Sequence, residues 1–152
     1  MQPITDNMQK YNNYKEQMNR LKKAINSEFY LEAISIEYAI VEDRVTSALR
    51  HAEKFNPEKH NSLNKKLNRL KEMQRAKTGK KPLLGKYISD DLIASIDAWK
   101  SQRNTIIHAL LNQSLHTEDL REEALQGLEI VKILNSKVSS WNRALEREKQ
   151  KV

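Results

Sequence analysis

Arg103, Asn104 and His108 place a cation, an amide and an imidazole on about one and a half turns of helix. A guanidinium keeps its charge at any ordinary pH and offers a rigid fork of donors to a carboxylate or a phosphoryl group. An imidazole titrates near neutrality and can take or give a proton. Arg103 sits within an apolar stripe of Leu92, Ile96, Trp99, Ile106, Ile107 and Leu110, which recur at spacings of three and four. A cation buried there unpaired is strongly disfavoured, so the position calls for a carboxylate, a phosphate or a wet cleft. Asn104 and His108, four residues apart, stack on a neighbouring face. Arg103 and His108 themselves lie about 140° apart on an ideal helix, so one chain does not present both on a single face.

A second feature points to phosphate. Residues 65–86 carry Lys65, Lys66, Arg69, Lys71, Arg75, Lys77, Lys80, Lys81 and Lys86 against a single acid, Glu72. The whole chain has a net charge of +7, so the remainder is slightly acidic. Such a concentration is the electrostatic footprint of a polyanion site. The plainer alternative is a solvated helix face followed by a loop.

The 152 residues suffice for one domain with a hydrophobic core. With 38% apolar and 31% charged residues, three glycines and three prolines, the chain reads as all-α. It contains no cysteine, which excludes disulfides, thiolate zinc sites and thiol catalysis and suits a reducing compartment. The absence of a long apolar run and of a leader pattern predicts a cytoplasmic protein with no membrane span.

Periodicity predicts five helices. The first spans about 5–25, with Ile4, Met8, Tyr11, Met18, Leu21 and Ile25 inward. Ser27 is expected to cap the second, 28–55, whose stripe is Leu31, Ile34, Tyr38, Val41, Val45, Ala48, Leu49 and Ala52. Glu37, Arg44 and His51 recur every seven residues inside that arc, as a salt-bridge ladder or as part of a site. Asn56-Pro57 ends the helix. A short basic helix covers about 62–76, and 77–89 is a loop. Its Thr78-Gly79-Lys80-Lys81 lacks the upstream glycine and the strand of a phosphate-binding P-loop.

Ser89 or Asp90 should cap the fourth helix, to about 112, and Thr117 the fifth, to about 147. The fifth carries a sustained seam of Leu120, Ala124, Gly127, Val131, Leu134, Val138, Trp141 and Leu145, with Gly127 marking a close approach. The expected architecture is an up-and-down bundle of four to five antiparallel helices with a basic loop between the third and fourth. It forms one domain over 1–152, with 1–26 a flanking helix and 147–152 a frayed tail.

Arg103-Asn104-Thr105-Ile106-Ile107-His108 resembles the Arg-polar-x-x-x-His form of the motif of HEPN domains (higher eukaryotes and prokaryotes nucleotide-binding). The order of features is also similar: a long helix with an Ile36-Glu37 pair, a variable basic middle, the motif helix and a closing helix. A looser match, Arg44 with His51, lies in the interior row of the second helix. The resemblance implies a helical bundle that dimerises and sets two motif copies across a cleft. Many HEPN members are metal-independent endoribonucleases of toxin–antitoxin, abortive-infection or antiphage systems. Others bind RNA or nucleotides without catalysis. Members regulated by a nucleotidyltransferase antitoxin carry a tyrosine two positions after the motif histidine, where this chain has Leu110.

On that resemblance RNA is the expected substrate, cut by attack of its 2′-OH on the adjacent phosphorus. His108 would act as general base or acid and Arg103 would bind the phosphoryl oxygens. Asn104 would orient His108 or the sugar, and Glu37 would hold Arg103. Lys65, Lys66, Arg69, Arg75, Lys77, Lys80, Lys81 and Lys86 would gather the RNA. No metal or cofactor is called for. Expected partners are RNA, a second copy of the chain and an antitoxin protein. The alternative is a silent HEPN-like module that binds RNA or protein.

Overall fold

The computed structural model describes residues 6–52, 55–75 and 84–151. Among them are five α-helices, one short 3-10 turn and no strand. The first helix, α1 (Asn7–Asn26), is started by Asp6, whose carboxylate accepts the Met8 N–H at 2.8 Å. It stops in a turn at Ser27-Glu28-Phe29. There the Phe29 N–H reaches back to the Ala24 carbonyl at 2.8 Å and the Glu28 N–H to Ile25. That paired bonding is a Schellman motif, and it needs a left-handed residue between the two donors. Glu28 supplies it, at φ 62°. Ser27 therefore closes α1 instead of capping the next helix. The second helix, α2 (Tyr30–His51), has Phe29 at its N-cap with no side-chain bond.

Three further helices complete the fold: α3 (Leu63–Arg75), α4 (Asp90–Ala109) and α5 (Thr117–Gln150). Ser62 Oγ accepts the Lys65 N–H at 3.2 Å and Ser89 Oγ the Leu92 N–H at 3.1 Å, so both serines start their helices as residue type predicts. The 3-10 turn Leu84–Lys86 leads into α4. The fifth helix begins one residue after His116, which stands at its N-cap in place of Thr117. It also runs into the expected frayed tail, as far as Gln150. Lys149–Glu146 and Lys151–Glu148 pairs at i,i+3 line its last turn.

Packing makes α2 the axis, flanked by α1, α3 and α5, while α4 lies against α3 and α5. The core draws Leu21 from α1; Ile34, Val41, Val45 and Leu49 from α2; Leu63, Leu67 and Leu70 from α3; Ile93, Ile96 and Trp99 from α4; and Val131, Leu134, Val138 and Trp141 from α5. Each such side chain contributes roughly 1.5–3 kcal/mol by leaving water. The α5 seam is buried from Ala124 to Leu145, with Leu120 only half-buried. On α4 the stripe closes with Ile106 and Ala109, and Ile107 and Leu110 turn toward solvent.

The row of every seventh residue on α2 is not a ladder. A straight helix drifts about 20° over each seven residues, so the three side chains diverge. Glu37 is fully buried. Arg44 is half-buried, bonds Asp43 at 2.7 Å and lies over Tyr14. His51 is exposed, with Nδ1 2.8 Å from the Ser47 carbonyl. No helix among the described residues is long and apolar enough to cross a membrane.

Candidate functional site

Three pairs of neighbouring residues converge where α2, α4 and α5 meet. From α4 come Trp99 and, one turn on, Arg103. From α5 come Glu123 and, one turn on, Gly127. From α2 come the adjacent Glu37 and Tyr38. Trp99 is locked by its indole N–H, which donates to the Glu123 backbone carbonyl at 3.1 Å. Its ring also lies 6.3 Å from that of Tyr38. Gly127 has no side chain where the Glu37 carboxyl and the Trp99 ring come in. A Cβ there would overlap Glu37 Oε1 and stand 2.9 Å from Trp99 Cζ2.

Arg103 lies on this assembly as on a shelf. Its guanidinium carbon is 4.2 Å from the Tyr38 ring centre, within cation–π range. Its Nε is buried without a hydrogen-bond partner. Its Nη1 reaches outward and donates to Asn104 Oδ1 at 3.3 Å, beside solvent. One edge of the fork thus faces the interior and the other faces water. A depression of about 480 Å³ runs along α2 from Tyr38 past Ala39 and Thr46 to Arg50.

Two carboxyls lie behind the shelf. Glu37 and Glu123 are 0% and 2% exposed, and none of their four oxygens has a hydrogen-bond partner. Burial, with the charge of Glu123 adding to it, pushes the Glu37 carboxyl up to about 9, so it is protonated at neutral pH. Burial pushes Glu123 up to about 7 against the opposing pull of Arg103. Burial also raises the Tyr38 phenol, with Glu42 adding to the rise and Arg103 opposing it.

The predicted residues are distributed unevenly around this site. Among the described residues no hydrogen bond or ion pair joins Arg103 to either Glu37 or Glu123. Asn104 accepts from Arg103 and makes no hydrogen bond to His108. His108 is exposed, one and a half turns along α4. Among the described residues it makes no hydrogen bond. Around it Ile107 and Leu110 are each 39% exposed, and Leu111 is 96% exposed.

Part of the basic segment has other work. Lys66 is buried, bonds Glu42 at 3.0 Å and lies over the Phe55 ring, so it is a packing cation and not a surface one. Lys71 pairs with Asp97, which also takes Lys100. Lys65 and Lys86 are exposed, and Arg69 pairs with Glu72. Lys77, Lys80, Lys81 and the Arg75 side chain lie outside the described residues, as does most of the predicted basic loop.

Sequence reasoning did not single out Glu123, Tyr38 or Trp99 as site residues. A signal was available: Glu123 falls four residues before Gly127, on the buried side of an otherwise apolar seam.

Among the described residues no group of three or more His, Asp or Glu side chains is placed to hold a metal ion. Comparisons with protein-family models, curated proteins and solved structures found no match to this chain.

Proposed function

We propose that the chain is a HEPN-like, metal-independent endoribonuclease that works as a homodimer in the cytoplasm. The observation that carries this reading is the state of Arg103. It is a half-buried guanidinium pinned on Tyr38, with one edge open to solvent, on the same helix as an exposed imidazole. A preorganised cation of this kind stabilises charge that develops on phosphoryl oxygens. His108 supplies proton transfer, as base toward the 2′-OH or as acid toward the leaving 5′-oxygen.

The two groups do not face each other within one chain. A second chain crossing near the C-terminal end of α4 brings one copy's His108 toward the other's Arg103. The exposed Ile107, Leu110 and Leu111 supply apolar surface for such a crossing. Lys65 and Lys86, with the lysines at 77, 80 and 81, collect the polyanion. An antitoxin partner belongs to the same reading, and Leu110 leaves no tyrosine to modify at that position.

Expression of the wild type, Arg103→Ala and His108→Ala, with growth and RNA integrity followed, tests this. Cleavage should persist in chelator and leave 2′,3′-cyclic phosphate ends. Each substitution should lower it by roughly a hundredfold or more. Intact RNA in cells making the wild type rules out the enzyme. The second reading, a silent RNA-binding module, is favoured by the absence of a hydrogen bond between His108 and either Arg103 or Asn104. It predicts salt-sensitive binding without cleavage.

A further inference from the structure

The outer face of α2 forms the floor of a trough. A cavity of about 710 Å³ lies between α1 and α2, with Lys10 and Tyr14 of α1 and Ile36 and Ile40 of α2 in its walls. The depression of about 480 Å³ beside Tyr38 shares Ser35, Ala39, Asp43 and Arg50 with it. The two therefore form one continuous trough across α2, about 22 Å long from Ser35 to Arg50 at the helical rise per residue. Ala39 and Arg50 are exposed on its floor.

Three arginines border the trough, each over an aromatic ring. The guanidinium carbon of Arg103 lies 4.2 Å from the Tyr38 ring centre, that of Arg50 5.2 Å from Phe55, and that of Arg44 5.8 Å from Tyr14. The acids between them are already engaged. Asp43 pairs with Arg44 at 2.7 Å and with Lys10 at 3.2 Å, and Glu42 holds Lys66 at 3.0 Å. Among the described residues Arg50 and Arg103 make no ion pair, so the surplus positive charge sits on these two. The remaining acid, Glu32, lines the opposite end near Ser35.

We propose that this trough is a track for single-stranded RNA, continuous with Arg103, in which Arg50 and Arg44 hold the strand beyond the cleaved phosphate. The proposal rests on the reading of Arg103 as the phosphate-binding group. It adds a binding surface on α2 to the lysines of the α3 segment.

A guanidinium over a ring is steadied by it and keeps its N–H donors for phosphate oxygens. The bases of a single strand are unstacked and settle on aromatic rings, on guanidinium planes and on apolar floor. Tyr14, Tyr38 and Phe55 supply the rings, and Ile36 and Ala39 the apolar surface. A duplex hides its base faces and gains only the charge. An acidic peptide likewise gains the charge without the stacking. The combination of flat surfaces with surplus cations therefore selects an unpaired nucleic-acid strand. Ala39 keeps the floor low, since a longer side chain there fills the trough midway between Ser35 and Asp43.

The test uses a 2′-O-methyl oligouridylate of about ten nucleotides, a length typical of single-strand sites, which cannot be cut by 2′-OH attack. Its Kd is measured at several salt concentrations for the full chain and for Arg50→Gln, Ala39→Glu, Ala39→Gln and Arg103→Ala. Both trough positions are exposed, so thermal melts of their variants should match the wild type. Arg50→Gln should weaken binding roughly fivefold or more and lower the salt slope by about 0.7, the share of one phosphate on a single strand. Ala39→Glu should weaken it more than Ala39→Gln, since it adds repulsion to the obstruction. A duplex of the same length should bind with no dependence on Arg50. Unchanged Kd and salt slope in Arg50→Gln and Ala39→Glu, with weakening in Arg103→Ala, overturns the track and leaves the phosphate reading of Arg103 standing. An equal loss for duplex and single strand in Arg50→Gln also overturns the track. No binding by the wild type at low salt overturns the track together with that reading.

Discussion

The Glu37 carboxyl fills the space that Gly127 leaves open on α5. Neither residue explains itself alone: a glycine inside a helix and an acid inside a core are each unfavourable. Together they let α2 and α5 approach with Trp99 against both. Gly127→Ala gains about 1 kcal/mol of helix propensity but forces a methyl into Glu37 and Trp99, an overpacking worth roughly 1–3 kcal/mol. We expect net destabilisation in urea unfolding. Glu37→Ala in the same chain should recover much of the loss by clearing the space. Greater stability for Gly127→Ala alone would show that the notch closes freely.

Stability should fall as pH rises. Glu37 has an ordinary value of 4.5 when unfolded and about 9 when folded, so the folded state keeps a proton that the unfolded chain has lost. Its contribution is complete below about 4.5 and disappears as the pH climbs toward 9, by at most about 1.4 kcal/mol per unit. Glu123 adds the same sign up to about 7. Asp97 has the opposite sign: the Lys100 bond holds it low against partial burial, so its contribution is lost in acid. The urea midpoint should therefore be higher at mildly acid than at alkaline pH. Glu37→Gln should flatten the decline and exceed the wild type at alkaline pH. A midpoint that rises with pH would contradict this.

Lys66 and Lys65 are neighbours with different tasks. The Lys66–Glu42 pair has a lysine side chain only 9% exposed, so Lys66→Ala leaves Glu42 without its partner. The expected loss of stability is about 1–3 kcal/mol, with little change in the salt dependence of RNA binding. Lys65 is exposed and bonds Asn61 at 3.0 Å. Lys65→Ala should leave stability within about 0.5 kcal/mol and reduce the salt slope of binding by up to about one ion. Thermal melts and salt titrations of binding distinguish the two.

Periodicity made the five helices legible because each has an apolar side, but the stripes are shorter than expected: Met8 and Tyr11 on α1 and Leu31 on α2, all expected inward, are exposed. The seam on α5 is the clearest case, continuous over Ala124–Leu145 apart from the notch at Gly127. Serine caps at α3 and α4 were equally readable, since a hydroxyl before a periodic run has one obvious use. The turn after α1 was not. Ser27 looks like a cap for α2, and only the backbone bonds of Phe29 and Glu28 show that it ends α1. The candidate site was more legible along α4 than across helices. The sequence reading placed Arg103 on a buried side and named Glu37 but missed Glu123, because these two carboxyls are brought together only by the packing of α2 on α5.

The left-handed backbone at Glu28 has a consequence for tuning the protein. An L-amino acid with a Cβ is disfavoured there by roughly 1–2 kcal/mol, and glycine is not. Glu28→Gly should raise the thermal midpoint by a few degrees, and no change would show that the strain is already relieved. A chemically synthesised chain with D-glutamate at this position should gain more, since it keeps the side chain and suits the mirror-image torsion. The bend between the first two helices is thus a chirality dial. It allows robustness to be adjusted far along the chain from Arg103.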